Sequence, residues 1–416
     1  MTSGNTGRRA AIVGAGIIGL AVAWFLQDEG FAVTVYDRRD VAAGASAGNA
    51  GWISPAMVAP LAEPSALRYG LTSLLRPDSP LRIPPASLPA TWRFLAGFAT
   101  HSTHRQWLAG VASFASLNAL ALPSYQLLTE AGVADGPKDA AIVAAFDGPE
   151  QAGPLRHEVQ AIAAAGGMDV KLDELSAAEL RREQPLLGSR AGYGLRIGGQ
   201  QFLQPLDFVQ SLAASVRSRG GDIVAGAPVT AIASRAGGVR LDVGGQPVDA
   251  DVCVLANGAW INALAGPTGV RVRAQAGRGY SFKVRTPEPP TQPLYLPAAR
   301  VAITPAPGGF RVAGTMEFRR PDDALDRRRI GAIVQSTRAY LPGVDWTTLT
   351  GPWVGPRPVT PDGLPIIGAT RDEGLFVAGG HGMWGMTLGP ATGRLLARSI
   401  ATGRPQPALA PFNPLR

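Results

Sequence analysis

The chain has 416 residues, of which 46% are hydrophobic, so it is long enough for two or three domains with sizeable cores. Its net charge of +8 comes mostly from arginines spread along the chain. This does not indicate a nucleic-acid-binding protein, because such proteins cluster their basic residues. Cys253 is the single cysteine, which excludes an intrachain disulfide and favours a reducing compartment.

The first elements form a strand-turn-helix-strand pattern. The apolar run AAIV is followed by Gly14, Gly16 and Gly19 at GxGxxG spacing, then by a helical stretch up to Gly30 and a second strand that ends at Asp37. We expect a tight turn at Gly14, close approach of the backbone to a pyrophosphate at Gly16, and close helix packing at Gly19. Asp37 lies 18 residues beyond Gly19, where a dinucleotide fold places the carboxylate that binds a ribose hydroxyl.

Residues 10–27 have a second interpretation, because they form an uncharged, mostly apolar run between two arginines and two acids. That length approaches the minimum for a membrane-spanning helix, and the run also resembles a signal sequence. No Ala-x-Ala cleavage site follows it, and the spaced glycines favour nucleotide binding over a membrane anchor. No other segment is expected to be long and apolar enough to span a bilayer.

The middle of the chain alternates helical and strand-like stretches. Residues 91–131 have helical periodicity, and 271–315 are strand-like. His101 and His104 lack a third ligand, so no metal site is predicted. The densest charge run, residues 319–329, predicts a solvated helix or turn. Cys253 lies in an apolar strand-like run, which predicts a small buried side chain and not a nucleophile.

Three glycine-bearing loops, at residues 14–19, 256–259 and 379–389, each follow a predicted strand. In an open parallel sheet such loops meet at one edge, where ligands bind. A nicotinamide cofactor needs chiefly the first loop, whereas a long flavin cofactor must be enclosed along its length, so three loops favour FAD. In the third loop we expect Pro390 to open a helix whose first amides, at Met386, Thr387 and Leu388, face the flavin ring. Such a helix terminus would favour the anionic reduced flavin.

Four motifs together resemble the FAD-dependent D-amino-acid oxidase superfamily: VGAGIIGLAVAWFLQDEGFAVTVYDRR, SAGNAGWISPAMVAPLAEP, GPRPVTPDGLPIIG and GHGMWGMTLGPATGRLLA. The second and third are most similar to bacterial D-amino-acid dehydrogenases. The resemblance implies an α/β architecture like that of p-hydroxybenzoate hydroxylase. A discontinuous Rossmann-like FAD-binding domain would comprise residues 1–60, 200–266 and 350–416, and an antiparallel-sheet substrate domain residues 61–199 and 267–349.

The resemblance also implies a set of cofactor contacts, with Asp37 at the ribose, Arg38 at the adenine end and Val229 pairing with adenine through its backbone. Relatives that attach flavin covalently use a cysteine in the carboxyl-terminal third, which this chain lacks, so noncovalent FAD is expected. The implied residues are Gly14, Gly16, Ile17, Ile18, Gly19, Asp37, Arg38, Ser46, Asn49, Ala50, Gly51, Val229, Ala256, Asn257, Gly258, Trp260, His381, Gly382, Met383, Gly385, Met386 and Thr387.

The expected reaction is oxidation of an amino acid, a D-amino acid first of all, by hydride transfer to flavin N5 and hydrolysis of the imine to a keto acid and ammonia. Arg357 matches the position that grips the substrate carboxylate in similar glycine oxidases, and its guanidinium offers two parallel donors. Tyr280 is a second candidate for a substrate hydrogen bond. Oxygen or a quinone is the expected electron acceptor.

Three alternatives stay open. The substrate of the flavin enzyme is instead glycine or a secondary amine such as sarcosine or hydroxyproline. The cofactor is NAD(P), with Arg38 and Arg39 reading a 2'-phosphate. The chain is a non-enzymatic membrane protein anchored by residues 10–27. For the enzyme, a cytoplasmic location is expected, with peripheral contact to the inner membrane left open and no nucleic-acid partner.

Overall fold

The computed structural model of the protein describes residues 7–64, 81–84 and 88–416. The strands in these residues are β1 (Arg9–Val13), β2 (Ala32–Tyr36), β3 (Trp52–Ile53), β4 (Leu81–Arg82), β5 (Lys138–Phe146), β6 (Leu172–Ser176), β7 (Tyr193–Phe202), β8 (Asp222–Val224), β9 (Val229–Arg235), β10 (Gly238–Val243), β11 (Gln246–Ala250), β12 (Val252–Leu255), β13 (Gln275–Arg285), β14 (Leu294–Leu296), β15 (Val301–Ala306), β16 (Gly309–Phe318), β17 (Leu349–Val359), β18 (Ile366–Ala369) and β19 (Leu375–Gly379). The helices are α1 (Ile17–Asp28), α2 (Leu88–His101), α3 (His104–Glu130), α4 (Gly153–Gly166), α5 (Ala177–Glu183), α6 (Pro205–Ser218), α7 (Ile261–Ala265), α8 (Arg327–Arg338) and α9 (Gly385–Thr402).

A six-stranded sheet has the order β18-β19-β12-β1-β2-β8 and is parallel except for its edge strand β18. Val13 at the end of β1 is in register with Leu255 at the end of β12, and Leu255 with Val377 in β19. The three glycine-bearing loops therefore leave the sheet at the same edge, as predicted from their positions after buried strands.

Helices α1 and α9 pack against each other beside this sheet. A Cβ added at Gly393 in α9 would lie 2.6 Å from the backbone of Ala21 in α1, so the absence of a side chain sets the helix spacing. Most of α1 is buried in this core. The run 10–27 is thus divided between a core strand and a core helix and does not form one continuous membrane-spanning helix.

The larger sheet has the order β17-β13-β16-β15-β14-β5-β7-β3 and is mainly antiparallel. Its strands come from both predicted domains: β3 and residues 350–359 of β17 pair in this sheet although they lie in segments assigned to the cofactor domain. The predicted α/β class with a Rossmann-like sheet beside an antiparallel-rich sheet is confirmed. The domain boundaries stay a prediction, and residues 65–80 and 85–87 of the predicted substrate domain lie outside the described part.

The predicted helical stretch 91–131 forms two helices, α2 and α3. The helix is interrupted at Ser102 and Thr103, and the Thr103 hydroxyl caps the N-terminus of α3. Within the described residues, α3 is long and apolar enough to cross a membrane by length and composition, with 44% of its most apolar stretch buried in the protein. The expectation that no second segment has this character is therefore wrong. A core helix passes the same test, so this is weak evidence of membrane contact.

Candidate active site

The converging loops line a cavity of about 380 Å³ at the edge of the parallel sheet. Its wall includes the N-terminal residues of α1 and α9, so two helix N-termini border the same space. Most of the residues implied by the resemblance line it: Gly14, Gly16, Ile17, Ile18, Asp37, Arg38, Ser46, Asn49, Val229, Ala256, Asn257, Gly258, Trp260, His381, Gly382, Gly385 and Met386. Their contact with FAD stays a prediction.

Gly14 and Gly19 of the first loop have the geometry that their spacing predicts, whereas the approach of Gly16 to a pyrophosphate stays a prediction. Gly14 has φ +112°, and a Cβ there would lie 2.6 Å from the carbonyl oxygen of Ala256 in the second loop. A Cβ at Gly19 would overlap the carbonyl oxygen of Gly14, which accounts for the close approach of α1 to β1. Beside Gly16, the Ser46 hydroxyl accepts a hydrogen bond from the amide of Ile17 at 3.1 Å.

At the end of the cavity predicted to hold the adenosine, Asp37 accepts hydrogen bonds from the amides of Ala15 and Arg39, both at 2.8 Å. The Arg38 guanidinium stacks 3.9 Å from the ring centroid of Trp260 and forms an ion pair with Asp322. Asp322 also accepts from the indole nitrogen of Trp260 at 2.8 Å.

Asp322 belongs to the charge run 319–329, which was expected to be solvated. The run is exposed or partly exposed except at Arg329, and it forms a turn and the start of α8, as predicted; in addition, Asp322 contacts Trp260 and Arg38 of the cavity wall. Arg38 already has an acidic partner here, which does not favour its predicted alternative role in reading a 2'-phosphate.

Two buried polar atoms in this cavity lack a hydrogen-bond partner among the described residues, the Oδ1 of Asn257 and the Nδ1 of His381. Buried polar groups are rarely left unpaired, so these atoms fit a polar ligand that fills the cavity. Burial lowers the pKa of His381 to about 3, and its Nε2 lies 2.9 Å from the hydroxyl of Thr392. These two unpaired polar atoms and the two helix N-termini therefore fit a dinucleotide such as FAD.

The prediction that Pro390 opens the last helix is wrong. Helix α9 begins at Gly385, and the amide of Leu388 is already bonded to the carbonyl of Trp384, so it is not free to face a ligand. Pro390 lies inside the helix and cannot bond to the carbonyl of Met386, four residues earlier. The buried hydroxyl of Tyr125 donates to that carbonyl at 2.6 Å, and this bond explains why the helix tolerates the proline.

A second cavity of about 540 Å³ adjoins the first. It lies against the large sheet and helix α2, and Asn49 and Arg357 are the described residues that line both cavities. Ala50, Met383 and Thr387, which were predicted to contact FAD, line this second cavity. Gly19 and Gly51, also predicted to contact FAD, are not among the described residues that line either cavity. Gly51 has φ +87° and packs against the carbonyl of Leu203.

Arg357 lies on β17 at the junction of the two cavities. Its Nη1 donates to the carbonyl oxygen of Thr315 at 2.8 Å, and its guanidinium packs against Gly279 of the adjacent strand β13. Among the described residues it has no acidic partner, and burial lowers its pKa to about 10, so it stays protonated at neutral pH. A partly buried guanidinium that lines two cavities and has no acidic partner among the described residues has the chemistry to bind a carboxylate.

A β-bulge presents the Thr315 carbonyl to Arg357. Tyr280 pairs with Gly314 and Arg278 with Glu317, so β16 has one residue more than β13 between these pairs. Thr315 lies in the bulge with φ +68°, a conformation that β-branched residues rarely adopt. Such strain is typical of functional sites.

The structure does not support the prediction that Tyr280 binds substrate. Side chains alternate along β13, so Gly279 faces Arg357 and Ser281 bonds to the Gly48 carbonyl, whereas Tyr280 points into the opposite core. Its hydroxyl donates to buried Glu317 at 2.6 Å. The pKa of Tyr280 is raised mainly by burial and further by the nearby Glu317 carboxylate. Tyr280 lines neither cavity among the described contacts.

Sequence patterns did not identify most of the second cavity's wall. Its aromatic residues come from separate segments: Trp52, Trp92, Phe94, Phe98, Tyr295, Phe318 and Trp384. Of these, Trp52 and Trp384 lie within the motifs that carry the family resemblance, and the others had no sequence signal. Thr315 and Arg300, which both line this cavity, have positive φ values that composition does not reveal.

Comparison with known proteins gives consistent results. The sequence profile of the family described as "DAO: FAD dependent oxidoreductase" matches residues 9–399. A D-amino acid dehydrogenase of Xanthobacter autotrophicus is 30% identical over 409 residues, which cover 95% of this chain and 96% of that protein.

Two solved structures share the fold across the whole chain. The glycine oxidase from Geobacillus kaustophilus has a TM-score of 0.74 at 23% identity and covers 98% of this chain and 99% of its own. An iminodiacetate oxidase from a Chelativorans species has a TM-score of 0.74 at 19% identity, with the same fold extending over 98% of this chain and 99% of its own. The chain therefore belongs to the DAO family of FAD-dependent oxidoreductases and is an FAD-dependent amino acid oxidoreductase.

Proposed function

We propose that the enzyme oxidises a D-amino acid at its α carbon to an imine, which water hydrolyses to a keto acid and ammonia. The observation that carries the proposal is the position of Arg357, a protonated guanidinium that lacks an acidic partner among the described residues and lines both cavities. The similarity over nearly the whole chain to a protein named D-amino acid dehydrogenase supports the choice of substrate.

FAD bound in the 380 Å³ cavity would supply the two-electron acceptor, flavin N5, for the α hydrogen as hydride. Asn257 and His381 would hydrogen-bond it through their unpaired buried atoms, and the N-terminus of α9 would place about half a positive charge beside it. Attachment is noncovalent in this proposal, because Cys253 is fully buried in β12 and burial raises its thiol pKa.

The protein's own contribution is to orient the substrate. Arg357 fixes one end of the substrate through its carboxylate, which holds the α carbon at the junction of the cavities. His381 is neutral at physiological pH and its Nε2 contacts Thr392, so no proton transfer is assigned to it. The substrate reacts with its amine neutral, and no catalytic base is needed.

Glycine or a secondary amine as substrate is the second candidate, favoured by the shared fold with a glycine oxidase and an iminodiacetate oxidase. The family match assigns FAD, which removes the NAD(P) alternative. Oxygen or a quinone as acceptor, and a cytoplasmic location with or without peripheral membrane contact, remain predictions that these observations leave open.

The test is anaerobic bleaching of the bound flavin by D-amino acids, L-amino acids, glycine, sarcosine and prolines, followed by admission of air. Bleaching by D-amino acids with the highest kcat/KM supports the proposal; bleaching by L-amino acids or sarcosine alone overturns it. Arg357→Lys loses one of two parallel donors, which costs about 1.5 to 3 kcal/mol or roughly a 10- to 150-fold loss in kcat/KM. Unchanged turnover by that variant removes Arg357 from the site.

A further inference from the structure

The second cavity, which lies beyond Arg357, has a mainly apolar described wall. Besides Arg357, its polar lining residues include Asn49, Ser54, Arg300, Thr315 and Thr387, whereas aromatic and aliphatic side chains from α2 and the large sheet form most of the rest. Phe94 of α2 packs against Phe318 of β16 with ring centroids 5.2 Å apart, so the helix wall is joined to the sheet. The lining fits a carboxylate at one end of the substrate and carbon at the other.

The volume exceeds the needs of a small substrate. A cavity of about 150 Å³ is enough to hold a benzene ring in an apolar protein core. This cavity, at about 540 Å³, is more than three times as large, so the part lined by α2 and the large sheet has room for a ring even if the flavin borders Ala50, Met383 and Thr387. Glycine, sarcosine or alanine would leave most of its apolar surface uncovered.

The floor of the cavity is kept open by small residues. Ala302 of β15 pairs with Tyr295 on one side and with Ala313 on the other, and all three line the cavity. Val301 and Ile303, the neighbours of Ala302 in sequence, point to the opposite core, so the Ala302 side chain faces the cavity. A larger residue at position 302 would occupy the space directly.

Arg300 is the other arginine of the described lining, and it raises the question of an acidic substrate side chain. Its charge interacts with Glu158 of α4, and Glu158 in turn lies within electrostatic reach of Glu63. Because burial raises the pKa of Glu158 to about 7, this acid balances part of the Arg300 charge at neutral pH, whereas Arg357 has no acidic partner among the described residues. This partial balance favours Arg357 over Arg300 as the site for a substrate carboxylate.

We propose that this cavity receives the substrate side chain and selects amino acids whose side chains are large and apolar, aromatic or long aliphatic. The inference rests on the proposed function, because it takes Arg357 as the carboxylate anchor. Burial of the side chain against the aromatic wall is the source of selectivity.

The first test measures kcat/KM of the FAD-loaded enzyme for D-phenylalanine, D-leucine, D-alanine, glycine and D-glutamate. We expect D-phenylalanine and D-leucine to exceed D-alanine and glycine by about 10- to 100-fold. A preference for D-alanine, glycine or D-glutamate overturns the inference and leaves the proposed function standing. If no amino acid reduces the flavin, the proposed function itself fails.

A graded series, Ala302→Val, Ala302→Leu and Ala302→Phe, tests the location. The ratio of kcat/KM for D-phenylalanine over D-alanine should fall at each step, by 10-fold or more at Phe, while flavin content stays constant. A ratio that does not change in a folded, flavin-loaded variant overturns the assignment. Should a variant not fold, binding of acetate, butyrate, hexanoate and benzoate to the unmodified enzyme decides: affinity that does not rise with carbon number contradicts the inference.

Discussion

Replacing Gly279 by alanine tests how Arg357 is held. A Cβ at this position would lie 2.1 Å from the Cζ of Arg357 and 2.1 Å from its Nη2, while the Gly279 backbone is outside the left-handed region and accepts alanine. Ordinary contact begins near 3.4 Å, so the guanidinium must shift by about 1.3 Å. A misplacement of ~1 Å can cost about 100-fold in rate. We expect a 10- to 100-fold fall in kcat/KM.

The assay is stopped-flow reduction of the flavin under anaerobic conditions, which separates the apparent substrate affinity from the rate of reduction. Gly331→Ala is the matched control, since an added Cβ there meets nothing within 4 Å and the backbone also accepts alanine. In an Arg357→Lys background the Gly279→Ala change should have little further effect, because both act on one interaction. Wild-type kinetics in Gly279→Ala would refute the proposal that the space at Gly279 sets the position of the Arg357 guanidinium.

Three further variants test other parts of the structure. Thr315→Gly removes a strained side chain and keeps the carbonyl that orients Arg357. The affinity for a carboxylate should therefore stay within about threefold of the wild-type value, and the melting temperature should not fall. Loss of that affinity would contradict the role of the Thr315 carbonyl. Tyr125→Phe leaves the Met386 carbonyl unpaired and should lower the free energy of unfolding by about 1 to 3 kcal/mol in urea titration; an unchanged midpoint argues against the role of Tyr125. Burial raises the pKa of Glu158 from 4.5 to about 7, so its stabilising contribution is present below pH 4.5 and lost as pH rises through 7. At pH 8 the free energy of unfolding of Glu158→Gln should therefore exceed that of the wild type, by no more than about 3 kcal/mol, and near pH 4 the two should be equal. The same difference at both pH values would show that burial of the charge is not the cause.

The edge of the parallel sheet that we propose binds FAD was predictable because the sequence motifs that form it are local. Each glycine-bearing loop follows its own buried strand, and parallel pairing brings strand ends together whatever lies between them in sequence. Gly14 and Gly19 have backbone approaches that no other residue allows, so their spacing carries direct structural information. The family resemblance rests on the same local motifs and is confirmed by the match over residues 9–399.

The substrate side was less predictable because it depends on register and on distant contacts. Tyr280 stands one position from Gly279, and a shift of one residue in a strand reverses the face that a side chain occupies. Pro390 indicated a helix start, but Tyr125, more than 260 residues away, supplies the bond that lets the helix begin five residues earlier. The bulge at Thr315 follows from strand pairing and has no composition of its own.

In the proposed mechanism, Arg357 anchors the substrate carboxylate where the cofactor cavity meets the substrate cavity. Titration of the oxidised, FAD-loaded enzyme with benzoate, followed by the flavin absorption spectrum, measures this directly. We predict saturable binding by the wild type, weaker binding by Arg357→Lys and none by Arg357→Met at the same flavin content. Equal dissociation constants for wild type and Arg357→Met would contradict the claim.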